Sequence, residues 1–314
     1  MPPKRGRRLG AGLVILVFIL LTSEIAARSF GLHTPVLYER TSYGYRVKPG
    51  QDIRRFGHRV FYNSYGLRSE PMSLSPTPGV IRILCLGDSI TNGGTSTDQS
   101  ETYPYLLERY LRERGINAEV LNASAGGWAL ENEGGWLAEH GTLDARILVL
   151  EVATHDLFQE MALSSIVDSH PSFPSRVSRL ASEELIVRYF LPRLFPSLVV
   201  QDPGTNGTQP SAAAAQRSVE RVVAMSEFAA RAGAQSIVLQ VEQPAPFEPN
   251  DEITRRAKAL LEHVLRDRGV PLIETADLIA AHGGGVLFRD PIHPNPQGNR
   301  VLARAVAGAI EPIR

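Results

Sequence analysis

From residue 81 onward, short apolar runs alternate with longer segments whose apolar residues recur at helical spacing. The predicted strands are Ile81–Leu86, Ala118–Leu121, Ile147–Val152, Ile237–Val241 and Leu272–Ile273, and the predicted helices are Thr102–Arg114, Arg217–Ala232, Asp251–Arg268 and Pro296–Ile310. Strands that are apolar at successive positions need cover on both faces, and the intervening helices supply it. The alternation therefore predicts an α/β fold, a three-layer α/β/α sandwich around a central parallel sheet.

The overall composition excludes several classes of protein. The 33 basic residues are balanced by 33 acidic ones, so the chain lacks the basic excess that is typical of nucleic-acid binding. An apolar fraction of 43% and a charged fraction of 21% are ordinary for a globular protein and argue against disorder. Cys85 is the only cysteine, so no disulfide can form within the chain.

The N-terminal residues 1–28 predict a membrane anchor. Four basic residues precede the uncharged stretch Leu9–Ser23, which approaches the length of a span if Glu24 to Ala27 lie at the outer interface. Basic residues before an apolar segment favour a cytoplasmic N-terminus with the remainder of the chain on the extracytoplasmic side. The alternative is a cleaved signal peptide, which would make the protein secreted. No cysteine follows the apolar run, which excludes a lipoprotein signal.

Two further segments interrupt the regular alternation. Residues 29–78 are rich in aromatic residues, Gly, Pro and Arg without a helical period, which predicts an extended or hairpin-like linker to the main domain, residues 79–314. Within that domain, about 158–216 is longer than a normal connection and predicts an insertion. It holds an apolar helix candidate followed by a loop rich in Gly, Pro and Ser, and it would serve as a lid, a partner surface or a membrane-facing patch.

Candidate functional residues gather where the predicted strands end. Ser89, Gly127 and His155 follow the first three strands, and His293 precedes the last helix. Ligands of open parallel sheets bind beyond the carboxyl ends of the strands, so these residues are expected around one crevice. A serine, a histidine and a nearby carboxylate there would suit nucleophilic acyl transfer.

These segments resemble the SGNH hydrolases, also called the GDSL esterase/lipase family, in a bacterial membrane-anchored subgroup. The first family block is matched by Gly87-Asp88-Ser89-Ile90-Thr91, the second by Asn122-Ala123-Ser124-Ala125-Gly126-Gly127, and the last by Asp290 and His293. The stretches "YNSYGLRSEP" and "ETYPYLLE" also resemble that subgroup, and the resemblance covers roughly residues 40 to 312. It implies a flavodoxin-like arrangement of the sandwich.

The resemblance also implies roles for individual residues. Ser89 would be the nucleophile, His293 the general base and Asp290 its orienting carboxylate. The backbone N–H groups of Ser89 and Gly127 would donate to the oxyanion.

The third family block departs from its usual form. Where the family usually has Gly-x-Asn-Asp, this chain has Ala153-Thr154-His155-Asp156. His155 is expected to take over the oxyanion donation of the missing Asn through a ring nitrogen, although imidazole is larger and titratable. Asp88, Asn122 and Asp156 are expected to support the site structurally.

The sequence thus predicts a membrane-anchored, outward-facing serine esterase that needs no metal or other cofactor. Its substrate would be an ester or an acylated glycan. One alternative is an O-acyltransferase or deacetylase acting on a cell-envelope polysaccharide. Others are a metal-dependent phosphoesterase using Asp88, His155, Asp156 and His293, or a catalytically weak glycan-binding protein.

Overall fold

The five predicted strands form one parallel sheet in the computed structural model, which describes residues 4–195, 210–244 and 246–310. The strands are β5 (Ile81–Gly87), β6 (Ala118–Ser124), β7 (Ile147–Ala153), β8 (Gln235–Val241) and β9 (Leu272–Glu274), preceded by β1 (Tyr38–Thr41), β2 (Gly44–Val47), β3 (Gln51–Arg55) and β4 (His58–Tyr62). In the sheet the order is β6-β5-β7-β8-β9, with the first strand of the sheet second in space. This is the flavodoxin-like order, and the α/β prediction is confirmed.

Helices cover both faces of this sheet. The helices of this part of the chain are α2 (Ser89–Asn92), α3 (Tyr103–Glu113), α4 (Leu130–His140), α5 (Ala181–Glu184), α6 (Leu191–Leu194), α7 (Ala212–Arg231), α8 (Glu252–Asp267), α9 (Ala276–Ala281) and α10 (Pro296–Ile310). Of these, α3, α4, α7, α8 and α10 pack against the sheet. Leu84 and Leu86 of β5 point into one core, with α4, α7 and α8, whereas Ile83 and Cys85 point into the other, with α3 and α10. Alternate side chains of one strand therefore serve two cores, which is why the strand is apolar throughout.

The observed bounds differ from the predicted ones at several places. Strand β6 runs on to Ser124 because its polar end is buried against the loop after Ser89. Helix α7 begins at Ala212, earlier than the predicted Arg217, because the side chain of Ser211 caps it by accepting from the N–H of Ala214. Helices α2, α4 and α9 were not predicted.

The segment before the sheet forms two antiparallel hairpins, β1–β2 and β3–β4. The side chains of Tyr45, Val60 and Tyr62 are fully buried in the core that also contains α4 and α7. The hairpins therefore contribute to the packing of the domain as well as linking it to the N-terminal helix.

The N-terminal helix, α1 (Lys4–Ser29), exposes its large apolar side chains from Leu13 to Leu21 and that of Ile25. In the described part of the chain it alone is long and apolar enough to cross a membrane, over Gly12–Ser29 with a mean hydropathy of 1.8. A signal sequence has the same properties.

Within the predicted insertion, α5 continues into a π-helix (Leu185–Phe190) and then into α6. We call residues 181–194 the apolar helical segment. The predicted Gly-, Pro- and Ser-rich loop falls largely on residues 196–209, which lie outside the described residues.

Candidate active site

Ser89 lies just beyond the carboxyl end of the interior strand β5, as the first residue of α2. The turn that presents it depends on its two preceding residues. A Cβ at Gly87 would come within 2.3 Å of Thr91 Oγ1, so the close approach of helix and strand requires glycine there. The carboxylate of Asp88 caps α2 by accepting from the N–H of Ile90 at 2.7 Å, which agrees with its predicted supporting role.

His293 lies on the loop that leads into α10, and its imidazole reaches Ser89 across 204 positions of sequence. Its Nε2 lies 2.9 Å from Ser89 Oγ, and its Nδ1 lies 2.9 Å from both carboxylate oxygens of Asp290. The structure thus places in contact the three side chains that the sequence singled out, Ser89, Asp290 and His293. This arrangement allows a proton to pass from the hydroxyl to an oriented imidazole.

The environment of Asp290 favours its ionised form. Partial burial opposes ionisation, but the backbone N–H groups of His293 and Ile292 donate to its carboxylate and outweigh it, so the pKa of Asp290 is below its usual range. An ionised Asp290 can accept from Nδ1–H and stabilise a positively charged His293.

Two backbone N–H groups are available for an oxyanion hole. That of Ser89 belongs to the first turn of α2, where no intrahelical acceptor exists. Gly127 has a φ of 76°, a left-handed conformation that favours glycine. The Tyr45 hydroxyl donates to the carbonyl of Gly126 at 2.7 Å, and Gln159 Nε2 donates to the carbonyl of Gly127 at 3.1 Å. Two consecutive peptide units of this loop are therefore held in place.

These groups open onto one crevice with a volume of about 340 Å³. Its lining includes the four residues that were expected around one crevice, Ser89, Gly127, His155 and His293. Further lining residues come from the hairpins, the loop after α2 and the insertion: Val36, Tyr38, Tyr62, Asn92, Gly94, Thr95, Ser96, Phe173 and Arg188.

His155 forms its hydrogen bond with a carboxylate. Its Nε2 lies 3.3 Å from Asp88 Oδ2, and its Nδ1 is buried without a hydrogen-bond partner among the described residues. Burial disfavours the imidazolium, but the charge of Asp156 and the hydrogen bond to Asp88 outweigh it and raise the pKa of His155 to about 9. Burial likewise disfavours ionised Asp88, yet the hydrogen bond and charge of His155 lower its pKa to about 2. His155 is thus a charged partner of Asp88 here, and its oxyanion role stays a prediction.

Asp156 approaches the same ring nitrogen, with its Oδ1 3.6 Å from His155 Nε2. Its Oδ2 accepts from the backbone N–H of Ala153 at 2.7 Å, which fixes the turn after β7. Burial raises the pKa of Asp156 to about 7, against the opposing charge of His155. Asp88, His155 and Asp156 each offer a ligand atom within 4.8 Å of the others, so by spacing they could hold a metal ion. His155 Nε2 is directed at the two carboxylates in this structure, and a metal ion would have to displace its proton to bind there.

Asn122 is buried and braces the loop behind the nucleophile. Its amide donates to the carbonyl of Thr91 at 2.8 Å, and its own carbonyl accepts from the Ser124 hydroxyl. It does not line the crevice. Its position therefore agrees with a supporting role.

Sequence reasoning missed two arginines that shape the site. Arg68, fully buried, donates to the carbonyls of Asn92, Gly94 and Thr97 and so holds the loop that follows Ser89. Arg289 donates to Thr97 Oγ1 at 2.6 Å and lines the crevice beside His293. The signal for Arg68 was its place in the glycine-containing stretch "YGLRS", but nothing local in the sequence marks its partners.

The chain is similar to known proteins in its fold and in its sequence family. The chain resembles the solved structures of TesA (17% identity over 74% of this chain and 99% of that chain, TM-score 0.48) and the acetyl xylan esterase AlAXEase (15%, 73% and 100%, 0.48). It also resembles the psychrotrophic esterase EstA from a Pseudoalteromonas species (14%, 74% and 97%, 0.44). No curated protein matches the sequence. The model of the GDSL-like lipase/acylhydrolase family matches residues 85–301, most of the chain, and the protein therefore belongs to that family.

Proposed function

We propose that this hydrolase is a serine esterase that acts through an acyl-enzyme on Ser89 and is held at a membrane by α1. The observation that carries the proposal is the pair of contacts made by His293, 2.9 Å to the Ser89 hydroxyl and 2.9 Å to Asp290. Family membership supports hydrolysis of an acyl bond. The substrate class we propose is an ester, of which an acylated glycan is one example.

The reaction follows from these contacts. His293 Nε2 takes the proton from Ser89 as Oγ attacks the ester carbonyl, and it returns that proton to the departing alcohol. Water then attacks the acyl-serine by the same route, and the acid leaves. Asp290 keeps Nδ1 protonated and stabilises the imidazolium that forms in each half-reaction.

The negative charge that develops on the carbonyl oxygen needs hydrogen-bond donors in contact with that oxygen. The N–H groups of Ser89 and Gly127 fill that role in our proposal, and each oxyanion donor typically contributes about 3–4 kcal/mol to transition-state stabilisation. The hydrogen bonds of Tyr45 and Gln159 on the loop of Gly127 support it, because they hold its peptide units before substrate arrives.

Labelling with a fluorophosphonate tests the nucleophile directly. The purified full chain should gain one phosphonyl group at Ser89, detected by mass spectrometry, and should release acid from p-nitrophenyl acetate. Ser89→Ala should lose both the adduct and the hydrolysis. Ser96→Ala is the matched control, because Ser96 lines the same crevice and is exposed.

An adduct on another residue, or full hydrolysis by Ser89→Ala, would contradict the proposal. Acyl transfer to an added glycan without release of free acid would identify a transferase using the same serine.

The proposed anchor and outward orientation rest on α1 and on the basic residues that precede its apolar stretch. The side chain of Leu74 is 66% exposed on the folded domain, and Cys85 is buried. In intact cells, Leu74→Cys should therefore react with a membrane-impermeant maleimide, whereas the wild type should not. Reaction only after cell lysis would reverse the orientation.

A further inference from the structure

The apolar helical segment, residues 181–194, exposes a stripe of large apolar side chains. Ile186 is 51% exposed, Phe190 54% and Leu194 67%, with Val187 and Leu191 beside them. Monomeric soluble proteins rarely leave such a contiguous apolar stripe in water. We therefore expect a partner surface or a membrane to cover this stripe.

The opposite side of the same segment is firmly docked on the domain. Ala181 packs in a small core with Ala27 and Leu32, and Leu185 and Tyr189 pack against that core. Glu184 is buried in an ion pair with Arg55 of β3. The exposed stripe is thus the outer face of an ordered element.

The segment begins where the candidate membrane span ends. The carboxylate of Glu24, near the end of α1, accepts from the backbone N–H groups of Ala181 and Ser182 at 2.9 and 3.0 Å and from the Ser182 hydroxyl at 3.0 Å. Arg28 also donates to it, at 2.7 Å. These contacts hold the start of the segment beside the last turns of the span.

Two more exposed aromatic rings, those of Phe30 and Phe56, lie near the end of α1 and the apolar helical segment. Phe30 is 66% exposed and Phe56, at the tip of the β3–β4 hairpin, is 41% exposed. The N–H of Phe56 donates to the carbonyl of Phe30 at 3.0 Å, and its ring lies 6.4 Å from that of Tyr189. We call these two rings and the stripe the apolar collar: Phe30, Phe56, Ile186, Val187, Phe190, Leu191 and Leu194.

We propose that the apolar collar lies in the boundary between headgroups and acyl chains of the bilayer that α1 spans. This inference rests on the proposed anchor. It is carried by the continuity of the collar with α1, since a span that leaves the bilayer at Ser29 brings the collar to the membrane surface. Apolar side chains on the outer face of a helix insert at this depth, and the exposed Arg193 beside the stripe suits anionic headgroups.

Single-cysteine labelling can test the position of the collar in the full chain. Cys85 is buried, and burial raises the pKa of its thiol to about 12, so an introduced exposed cysteine reacts selectively with an environment-sensitive nitrobenzoxadiazole label. The variants Phe190→Cys and Leu194→Cys report on the collar. Leu74→Cys is the matched control, because Leu74 is also an exposed leucine. Its carbonyl accepts from Arg82 near the amino end of β5, at the edge of the sheet opposite to the crevice. Leu16→Cys reports on the anchor itself.

Each variant is reconstituted into vesicles of phosphatidylethanolamine and phosphatidylglycerol, with and without brominated acyl chains. Labels at Phe190 and Leu194 should show blue-shifted emission and lose fluorescence to the brominated lipid, whereas the label at Leu74 should do neither. Quenching at Leu16 alone would overturn the inference and leave the anchor intact, and no quenching at Leu16 would overturn the anchor. A blue shift at Phe190 without lipid quenching would mean that a second copy of the chain covers the collar, which also overturns the inference.

Discussion

Asp290 illustrates at the scale of one residue how the proposed base is prepared. Its carboxylate accepts from two backbone N–H groups as well as from His293, so its position is set before any substrate binds. Because these donors keep it ionised, it can hold the imidazole in the tautomer that accepts the serine proton.

Asp290→Asn should therefore lower kcat for p-nitrophenyl acetate by about 10⁴-fold, with little change in KM, because an amide can present the wrong hydrogen-bonding tautomer to His293. Steady-state kinetics measure this split. Asp277→Asn, an exposed carboxylate of α9, should leave kcat unchanged. An increase in KM with kcat unchanged would assign Asp290 to substrate binding instead.

His155 gives a second prediction, on stability. Its folded pKa of about 9 exceeds the ordinary value of 6.5, so the charged form stabilises the fold below pH 6.5 and that stabilisation is lost as the pH rises through about 9. His155→Asn should lower the free energy of unfolding by roughly 1–3 kcal/mol at pH 6.5 and by much less at pH 10.

Urea unfolding of the detergent-solubilised chain at the two pH values measures that difference. His263→Asn, on the exposed face of α8, is the control and should cost little at either pH. An equal loss at both pH values would show that His155 stabilises the fold by packing alone.

At the scale of elements, α4 shows where sequence patterns fail. Its sequence "LENEGGWLAEH" holds two adjacent glycines, which disfavour a helix, and it was not predicted. In the fold, a Cβ at Gly135 would come within 2.3 Å of the Tyr43 Cβ, so the glycine lets the β1–β2 hairpin approach the helix closely. A long-range contact here outweighs local propensity.

Gly135→Ala should consequently destabilise the fold by about 1–3 kcal/mol through overpacking, although alanine is the better helix former. Gly308→Ala in α10 is the matched control, since a Cβ there would meet nothing within 4 Å, and it should stabilise by up to about 1 kcal/mol. Urea unfolding of both variants checks the signs. Stabilisation by Gly135→Ala would contradict the packing argument.

The whole molecule is tied together through Glu184. It pairs with Arg55 of the hairpins and accepts from the backbone N–H of His33 at 2.7 Å, just beyond α1. The chain just beyond α1, the hairpins and the apolar helical segment therefore meet at one buried carboxylate. Because the pair is buried, removing one charge leaves the other without compensation.

Glu184→Gln should loosen that junction, at a cost that approaches roughly 3–5 kcal/mol for a fully broken buried pair. Hydrogen exchange should then show reduced protection of the amides of residues 181–194 while the amides of the central sheet stay protected. Glu183→Gln, its exposed neighbour, is the control. Equal protection in both variants would show that the ion pair does not hold the segment.

The features that could be predicted from the residues alone are local or repeat along the chain. Apolar periodicity was enough to predict the parallel sheet and its covering helices. Short family-like blocks were enough to identify Ser89 and His293 as candidate site residues, and the structure places these two in contact. These features can be recognised in the sequence because each depends on neighbouring residues or on the common edge where parallel strands end.

The tertiary structure decided what depends on contacts between distant segments. It paired His155 with Asp88, brought Arg68 to the loop behind Ser89, and docked the apolar helical segment against the end of α1. Such contacts form when separate elements pack together, and the identity of a buried polar partner follows from that packing. No local pattern of residue types encodes them.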